Sequence, residues 1–266
     1  MKTIIISDLH NRIDWIEDAL SSPLLKPYDK VIFLGDYFDD FGDTPNDALK
    51  AAKWLKWSLH KPNRTHLYGT HDLWYRFPYN RFIQASGNTE EKMYTIRSVI
   101  NSDDWNILRL YSYEQNFLVS HAGAHINLIS EYVLKHIDIF NKHIINKELQ
   151  LSSQEIVDKI IKPATEEAFR RISDGFSHPW FDAGLVRGGL QSVGGMTWLD
   201  WNYEFRPIPS LNQIVGHTEL KYPGEKITQN SKNYDLDTRN HYIGILENGD
   251  FTWIETIEVL EAITNE

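Results

Sequence analysis

Short apolar runs alternate along the chain with polar, glycine-containing breaks. Residues 3–7 form a β-branched run closed by Asp8, and residues 30–34 (KVIFL) form a second, closed by Gly35-Asp36. Runs of this length without polar alternation read as strands buried on both faces. Three more follow. Residues 65–68 end at Gly69-Thr70-His71-Asp72, residues 117–119 at Ser120-His121-Ala122-Gly123, and residues 213–215 at Gly216-His217-Thr218. Between them the period changes. Ile13, Ile16 and Leu20 predict a helix over 11–20, and Ala48, Ala51, Ala52, Leu55 and Leu59 predict one over Pro45–Leu59, with Pro45 suited to the first turn. Residues 125–172 read as a long helical stretch, with Ser152 and Glu155 as a capping box and Pro163 as a kink or break. Residues 242–246 and 251–255 flank Asn248-Gly249, a strong hairpin signal. The pattern predicts one α/β domain over residues 1–266, interrupted by a helical insertion at about 125–185.

Composition narrows the function. The 266 residues are 41% hydrophobic and 24% charged, enough to build a substantial core and far from the composition of a disordered chain. The formal charge of −10 disfavours a broad nucleic-acid or anionic-membrane surface. It leaves room for a small phosphorylated substrate bound at a metal, which brings its own positive charge. No cysteine is present, which excludes disulfides, zinc–thiolate sites and a cysteine nucleophile. The N-terminal apolar run is three isoleucines, too short for a secretion signal or a membrane span, so a cytoplasmic protein without a membrane partner is expected.

The breaks carry the chemistry. In an open α/β sheet the carboxyl ends of the strands line the ligand crevice. Asp8, His10, Asp36, His71, His121 and His217 all follow strand-like runs and are expected to converge although they span 210 positions. Oxygen and nitrogen donors in this mixture suit Mn2+, Fe, Zn2+ or Co2+ better than Ca2+.

In order, Asp8-Leu9-His10, Gly35-Asp36-Tyr37-Phe38-Asp39, Gly69-Thr70-His71-Asp72, Ser120-His121-Ala122-Gly123 and Gly216-His217-Thr218 resemble the calcineurin-like metallophosphoesterases. The likeness is nearest to the phosphoprotein-phosphatase branch with its bacterial and phage serine/threonine phosphatases. The resemblance implies a metallophosphoesterase β-sandwich flanked by helices, four layers in the order αββα. It implies two divalent ions, Mn2+ before Fe, Zn2+, Co2+ or Mg2+. Asp8 and His10 would hold the first, Asp36 would bridge, and His121 and His217 would hold the second. It implies that His71 is no ligand but protonates or positions the leaving group. Asp72, directly after it, is the expected orienting partner, with a link to an arginine as the alternative.

Two positions depart from the family pattern. Thr70 stands where an Asn ligand to the second metal is usual. Asp39 is followed by Asp40-Phe41-Gly42 instead of Arg-Gly, so the arginine that grips the phosphate is missing. Arg187, between glycine-rich neighbours, is the first candidate to replace it, and Arg76 the second. His125 is read as either a neighbour of the metal site or the start of the insertion. Trp54 and Trp57 are expected in the core, Trp198 and Trp201 in packing near the site, and Asp237-Thr238 in a structural role. The insertion is expected to be a specificity element near the pocket. The expected activity is metal-dependent hydrolysis of phosphate monoesters, on a phosphoprotein or a small metabolite. Cleavage of a dinucleoside polyphosphate or cyclic nucleotide is the second reading, and a metal-binding module weakened by Thr70 the third.

Overall fold

The computed structural model describes residues 1–145 and 148–264. Twelve strands occur along them: β1 (Lys2–Ile6), β2 (Lys30–Phe33), β3 (Arg64–His66), β4 (Tyr111–Glu114), β5 (Phe117–Ser120), β6 (Ile144–Ile145), β7 (Glu148–Leu149), β8 (Asn212–Val215), β9 (Gly224–Ile227), β10 (Lys232–Asp235), β11 (Tyr242–Glu247) and β12 (Asp250–Glu255). Ten of them build two five-stranded sheets, ordered β12-β11-β1-β2-β3 and β4-β5-β8-β10-β9, and β6 and β7 pair with each other. β1, β2 and β3 run parallel, as do β5, β8 and β10.

The isoleucine run in β1 is explained by burial on both faces. Ile5, Ile32, Leu34 and Leu67 of the first sheet meet Phe117, Val119, Ile214 and Leu236 of the second in an inter-sheet layer. Ile4, Ile6, Val31 and Phe33 point the other way, into the helices. Alternate residues thus serve two different interfaces, as the two-residue period of a strand requires. The result is the expected sandwich with helices on its outer faces.

Helix α2 spans Pro45–Leu59 as the pattern predicts, and Asp47 accepts the Thr44 N–H at 2.8 Å to cap it. Helix α1 is shorter than predicted, Ile16–Ser21. The preceding loop is occupied elsewhere. Leu9 and His10 donate their N–H groups to the Asp36 carbonyl at 3.1 and 2.7 Å, and His10 and Asn11 sit at φ 43° and 62°, outside the helical region. Asn248 and Gly249 turn the β11–β12 hairpin at φ 53° and 82°.

The long helical stretch is broken. Helices Ile126–Lys135 and Ile137–Phe140 precede the β6–β7 pair, and helical structure resumes over residues 153–173; residues 146 and 147 lie outside the described ones. The Ser152–Glu155 box is present. Pro163 does not split the second half, because it sits in the first turn of Lys162–Ser173, directly after a wider π-helical turn over Val157–Ile161. Trp54 packs on the core, but Trp57 is 45% exposed and lies under Lys61. Helix α3 (Thr70–Arg76) starts at the third motif, and helix α4 (Glu90–Val99) follows it. None of the helices among the described residues is long and apolar enough to cross a membrane.

Candidate metal centre

Five strand ends meet at one edge of the sandwich. Asp8 follows β1, Asp36 follows β2, Thr70 and His71 open α3 after β3, His121 follows β5 and His217 follows β8. Three of the side chains are carried on left-handed backbone, His10, Asp36 (φ 50°) and His217 (φ 73°), a strained conformation that non-glycine residues adopt where the surrounding structure compels it.

Two sets of donor atoms lie within 4.8 Å of one another: His10, Asp36 and His71 in one, Asp36, His121 and His217 in the other. Asp36 belongs to both. Its Oδ2 lies 3.7 Å from His10 Nε2 and 3.5 Å from His121 Nε2, while Oδ1 accepts the His71 N–H at 2.8 Å. Asp8 stands beside these sets. Its carboxylate accepts the His217 N–H at 3.1 Å and approaches His121 Nδ1 at 3.8 Å.

The outward ring nitrogens are turned by backbone carbonyls. His10 Nδ1 donates to the Asp39 carbonyl at 2.6 Å and His121 Nδ1 to that of Leu34 at 3.0 Å, so each Nε2 is left with a lone pair aimed inward. His217 Nδ1 lies 3.1 Å from His121 Nε2, and His217 Nε2 is buried without a partner. Burial lowers the pKa of both His121 and His217, and for His217 the neighbouring His121 and Arg187 charges add to it. Neutral imidazoles with unshared lone pairs are metal ligands in waiting.

The carboxylates complement them. Burial, followed by the Asp237 and Asp36 charges, pushes Asp8 well above the usual carboxylate range. Burial acts on Asp36 in the same direction, but His121, His71 and His10 around it hold its carboxyl well below that range. Carboxylates pressed together beside the orphaned His217 Nε2 are what two divalent cations would satisfy, so the residues present fit such ions.

Close approach is built in. A Cβ on Gly69 would stand 2.2 Å from Asp36 Oδ1, and one on Gly216 would stand 2.3 Å from Asp8 Oδ1. Gly69→Ala is therefore expected to displace the Asp36 carboxylate and to cost both metal uptake and turnover by about 10-fold or more, read by metal analysis and initial rates. Wild-type metal content in that variant would show that the loop yields without moving Asp36.

His71 lies in the cleft next to this centre. Its ring stands edge-on to His10 at 5.2 Å, and its Nδ1 donates to Asp39 Oδ2 at 3.1 Å. Burial pulls its pKa down, but Asp36 and Asp39 overcome this and raise it to about 9. Asp39 is the orienting carboxylate that sequence reading missed. It is buried and also accepts from Tyr75 Oη at 2.6 Å, Asn88 Nδ2 at 2.6 Å and Lys92 Nζ at 2.5 Å. Its one sequence signal was a second carboxylate three residues after Asp36. Asp72 faces elsewhere. It accepts the N–H groups of Asp36, Tyr37 and Gly69 at 2.8, 2.9 and 2.8 Å, tying the second motif to the third.

Neither predicted arginine lies in the cleft that holds His71. Arg76 donates to Tyr68 Oη at 2.6 Å and Asn106 at 2.9 Å, in a separate depression. Arg187 is close to His217, but Asp200 at 2.9 Å and Thr218 at 2.9 Å hold it. Thr70 Oγ1 donates to the Thr197 carbonyl and lies 3.5 Å from His217 Nδ1. Trp198 stands edge-on to His217 at 5.7 Å, walling the site, whereas Trp201 is buried on Phe205. His125 caps the first helix of the insertion through the Asn127 N–H at 3.0 Å. Among the described residues, none from 125–185 lines this cleft; Phe169 of the insertion packs on Tyr68, with ring centroids 5.7 Å apart.

An αββα sandwich with a carboxylate shared by two sets of donors at its strand ends defines a dinuclear metallohydrolase scaffold. Residues 1–218 match the calcineurin-like phosphoesterase (Metallophos) family, and the chain belongs to that family of phosphoric ester hydrolases, which generally uses a dinuclear divalent metal site. No curated protein matches the chain at a significant level. Among solved structures it is similar to the cold-active protein-tyrosine phosphatase of a psychrophilic Shewanella species, with a TM-score of 0.52 and 14% identity over 96% of this chain and 78% of that one. A second structure named as a cold-active protein tyrosine phosphatase gives 0.53 at 13% identity, covering 96% and 76%. A Saccharomyces cerevisiae protein serine/threonine phosphatase gives 0.47 at 12% identity, covering 96% and 80%. For the first two, at such identities, the likeness is one of fold.

Proposed function

We propose that the protein is a metal-dependent phosphomonoesterase, acting on a phosphorylated protein or small metabolite through one metallophosphoesterase domain. The observation that carries this reading is the Asp36 carboxylate shared between two donor sets, beside His71 whose Nδ1 is held by Asp39 at 3.1 Å. Asp8, His10 and Asp36 would hold one cation and Asp36, His121 and His217 the other, Mn2+ being the first to test. Two such ions supply charge neutralisation for the phosphate oxygens and an acidified water. The chain does the rest. His71, charged at neutral pH and fixed by Asp39, donates its proton to the departing oxygen. Asp72 braces the loops that carry Asp36 and His71. The cleft wall intersperses Arg12, Lys92 and Arg239 with Asp40, Asp43, Glu91 and Glu219, an alternation of sign that suits a compact monoester better than a long polyanion.

The test is metal analysis followed by Mn2+-supported assays on p-nitrophenyl phosphate and bis(p-nitrophenyl) phosphate. The monoester is expected to be the better substrate by kcat/KM. A preference for the diester would overturn the proposal in favour of phosphodiester or dinucleotide cleavage.

Thr70 sets the second position. Its hydroxyl hydrogen is committed to Thr197. An Asn there would carry an amide oxygen one bond further out, towards His217. Thr70→Asn is expected to lower the Mn2+ needed for half-maximal rate by about 10-fold. Superimposable titrations would show that the threonine already completes the site.

A further inference from the structure

The cleft beside His10 and His71 encloses about 490 Å3, and Arg12 and Arg239 stand in its wall. The same two side chains line an adjoining cavity of about 350 Å3, so they form the partition between the two. Neither is gripped tightly. Arg12 Nε lies 3.6 Å from Asp40 Oδ2 and 3.4 Å from the Leu9 carbonyl; Arg239 lies 3.7 Å from Asp40 Oδ1 and 3.8 Å from Glu219. These contacts contrast with the hydrogen bonds of 2.6 and 2.9 Å that engage Arg76, and with Arg187, which donates to Thr218 at 2.9 Å and ion-pairs with Asp200 at 2.9 Å. A guanidinium has five fixed donors, and long carboxylate contacts leave most of them for another anion.

The placement is deliberate on both sides. Arg12 follows the left-handed pair His10-Asn11, and Asn11 Nδ2 is tied to Asp43 at 2.9 Å. Arg239 and Asn240 are themselves left-handed, at φ 55° and 64°. Asn240 Nδ2 donates to the Asp8 carbonyl at 3.1 Å, and Thr256 Oγ1 to the Asn240 carbonyl at 2.6 Å. The loop bearing Arg239 is thus fastened to the strand end that carries Asp8. Asp40 touches both arginines and, among the described residues, is the carboxylate shared between them.

We propose that Arg12 and Arg239 are the phosphate clamp of the cleft, parked on Asp40 until the substrate's phosphate takes its place. This rests on the phosphomonoesterase reading and extends it: the clamp fits one compact dianionic phosphate, and Glu91 and Glu219 around it repel a second.

Binding of inorganic phosphate to the Mn2+-loaded protein, measured by calorimetry, tests the clamp. KM for p-nitrophenyl phosphate is measured alongside. Arg12→Gln and Arg239→Gln are each expected to raise the phosphate Kd about 10-fold or more, with KM rising in step and metal content unchanged. Arg→Lys at either position should recover part of the loss. Asp40→Asn should act in the opposite direction and tighten phosphate about two- to five-fold, which a merely structural role would not produce. Phosphate affinity unchanged in both glutamine variants, weakened only by Arg187→Gln, weakened by Asp40→Asn, or absent in the wild type overturns the clamp. Monoester turnover by the wild type is scored separately. A wild type that turns over beside indifferent arginine variants loses the clamp alone. Arginine-dependent phosphate binding without turnover loses the activity alone.

Discussion

Asp36→Asn is expected to abolish turnover, by about 10³-fold or more, which is about 4 kcal/mol of lost barrier lowering. It should also empty most of both cation positions. The reason is the double use of one carboxylate. Oδ2 faces His10 Nε2 at 3.7 Å and His121 Nε2 at 3.5 Å, so an amide nitrogen there would present hydrogens where both donor sets need a lone pair. The fold should survive, because Asn retains the oxygen that accepts the His71 N–H at 2.8 Å. The effect therefore separates by ligation state. Without metal, the variant and wild type should melt within a few degrees of each other. With Mn2+ at 100 times its Kd, the wild type should gain about 2.7 kcal/mol and the variant almost nothing. Metal analysis and a thermal shift series check both statements. A variant that keeps two equivalents of metal and the full stabilisation would remove Asp36 from the bridging role.

The fold was legible where a residue pattern had one physical cause. β1 and β2 announce themselves because both faces are buried, and α2 because its alanines and leucines share a single face over four turns. The strands β9 and β10 were not seen. β9 (GEKI) is an edge strand with alternate residues exposed, and β10 (KNYD) buries Asn233 and Asp235, whose polarity conceals the strand. α4 was missed for a similar reason, since among its buried residues is a lysine, Lys92. The metal-site candidates were legible because each stands just after a strand, where topology alone brings distant positions together. The groups that support them were not. Asn88 and Lys92 reach Asp39 from 49 and 53 residues away, and no local spacing encodes that meeting. Asp72 illustrates the converse error. Adjacency to His71 pointed to a partnership, but successive residues at a helix start face different ways, and the Asp72 carboxylate turns back to three backbone N–H groups. Arg187 was singled out for its flanking glycines, which indicate room for an approach and not what is approached, and Arg76 for its place four residues after Asp72; neither lines the cleft that holds His71.

Removing His71 should separate protonation from ligation. Its ring sits in one donor set with His10 and Asp36, yet its Nδ1 is bound to Asp39, and the two neighbouring carboxylates hold its pKa at about 9. A charged imidazole is a poor ligand and a good acid. His71→Ala is therefore expected to keep its metal and to lose about 10²–10⁴-fold in kcat. The loss should depend on the leaving group. An alkoxide needs a proton far more than p-nitrophenolate does, so the deficit should be larger for an alkyl phosphate than for p-nitrophenyl phosphate. Asp39→Asn should give a milder form of the same defect, about 10–100-fold in kcat with KM nearly unchanged, because the ring is present but poorly oriented. The sign of its pH effect follows from the charge removed. Asp39 raises the His71 pKa, and an acid must be protonated to act, so the alkaline limb of the rate profile should move to lower pH in the variant. Lys92→Met provides the opposite perturbation. It strips Asp39 of its buried cation at 2.5 Å, leaves the carboxylate bound to His71, and should shift that limb upward. Loss of metal from the His71 variant, an equal deficit for both leaving groups, or limbs that move together in the Asp39 and Lys92 variants would make His71 a ligand and not the acid.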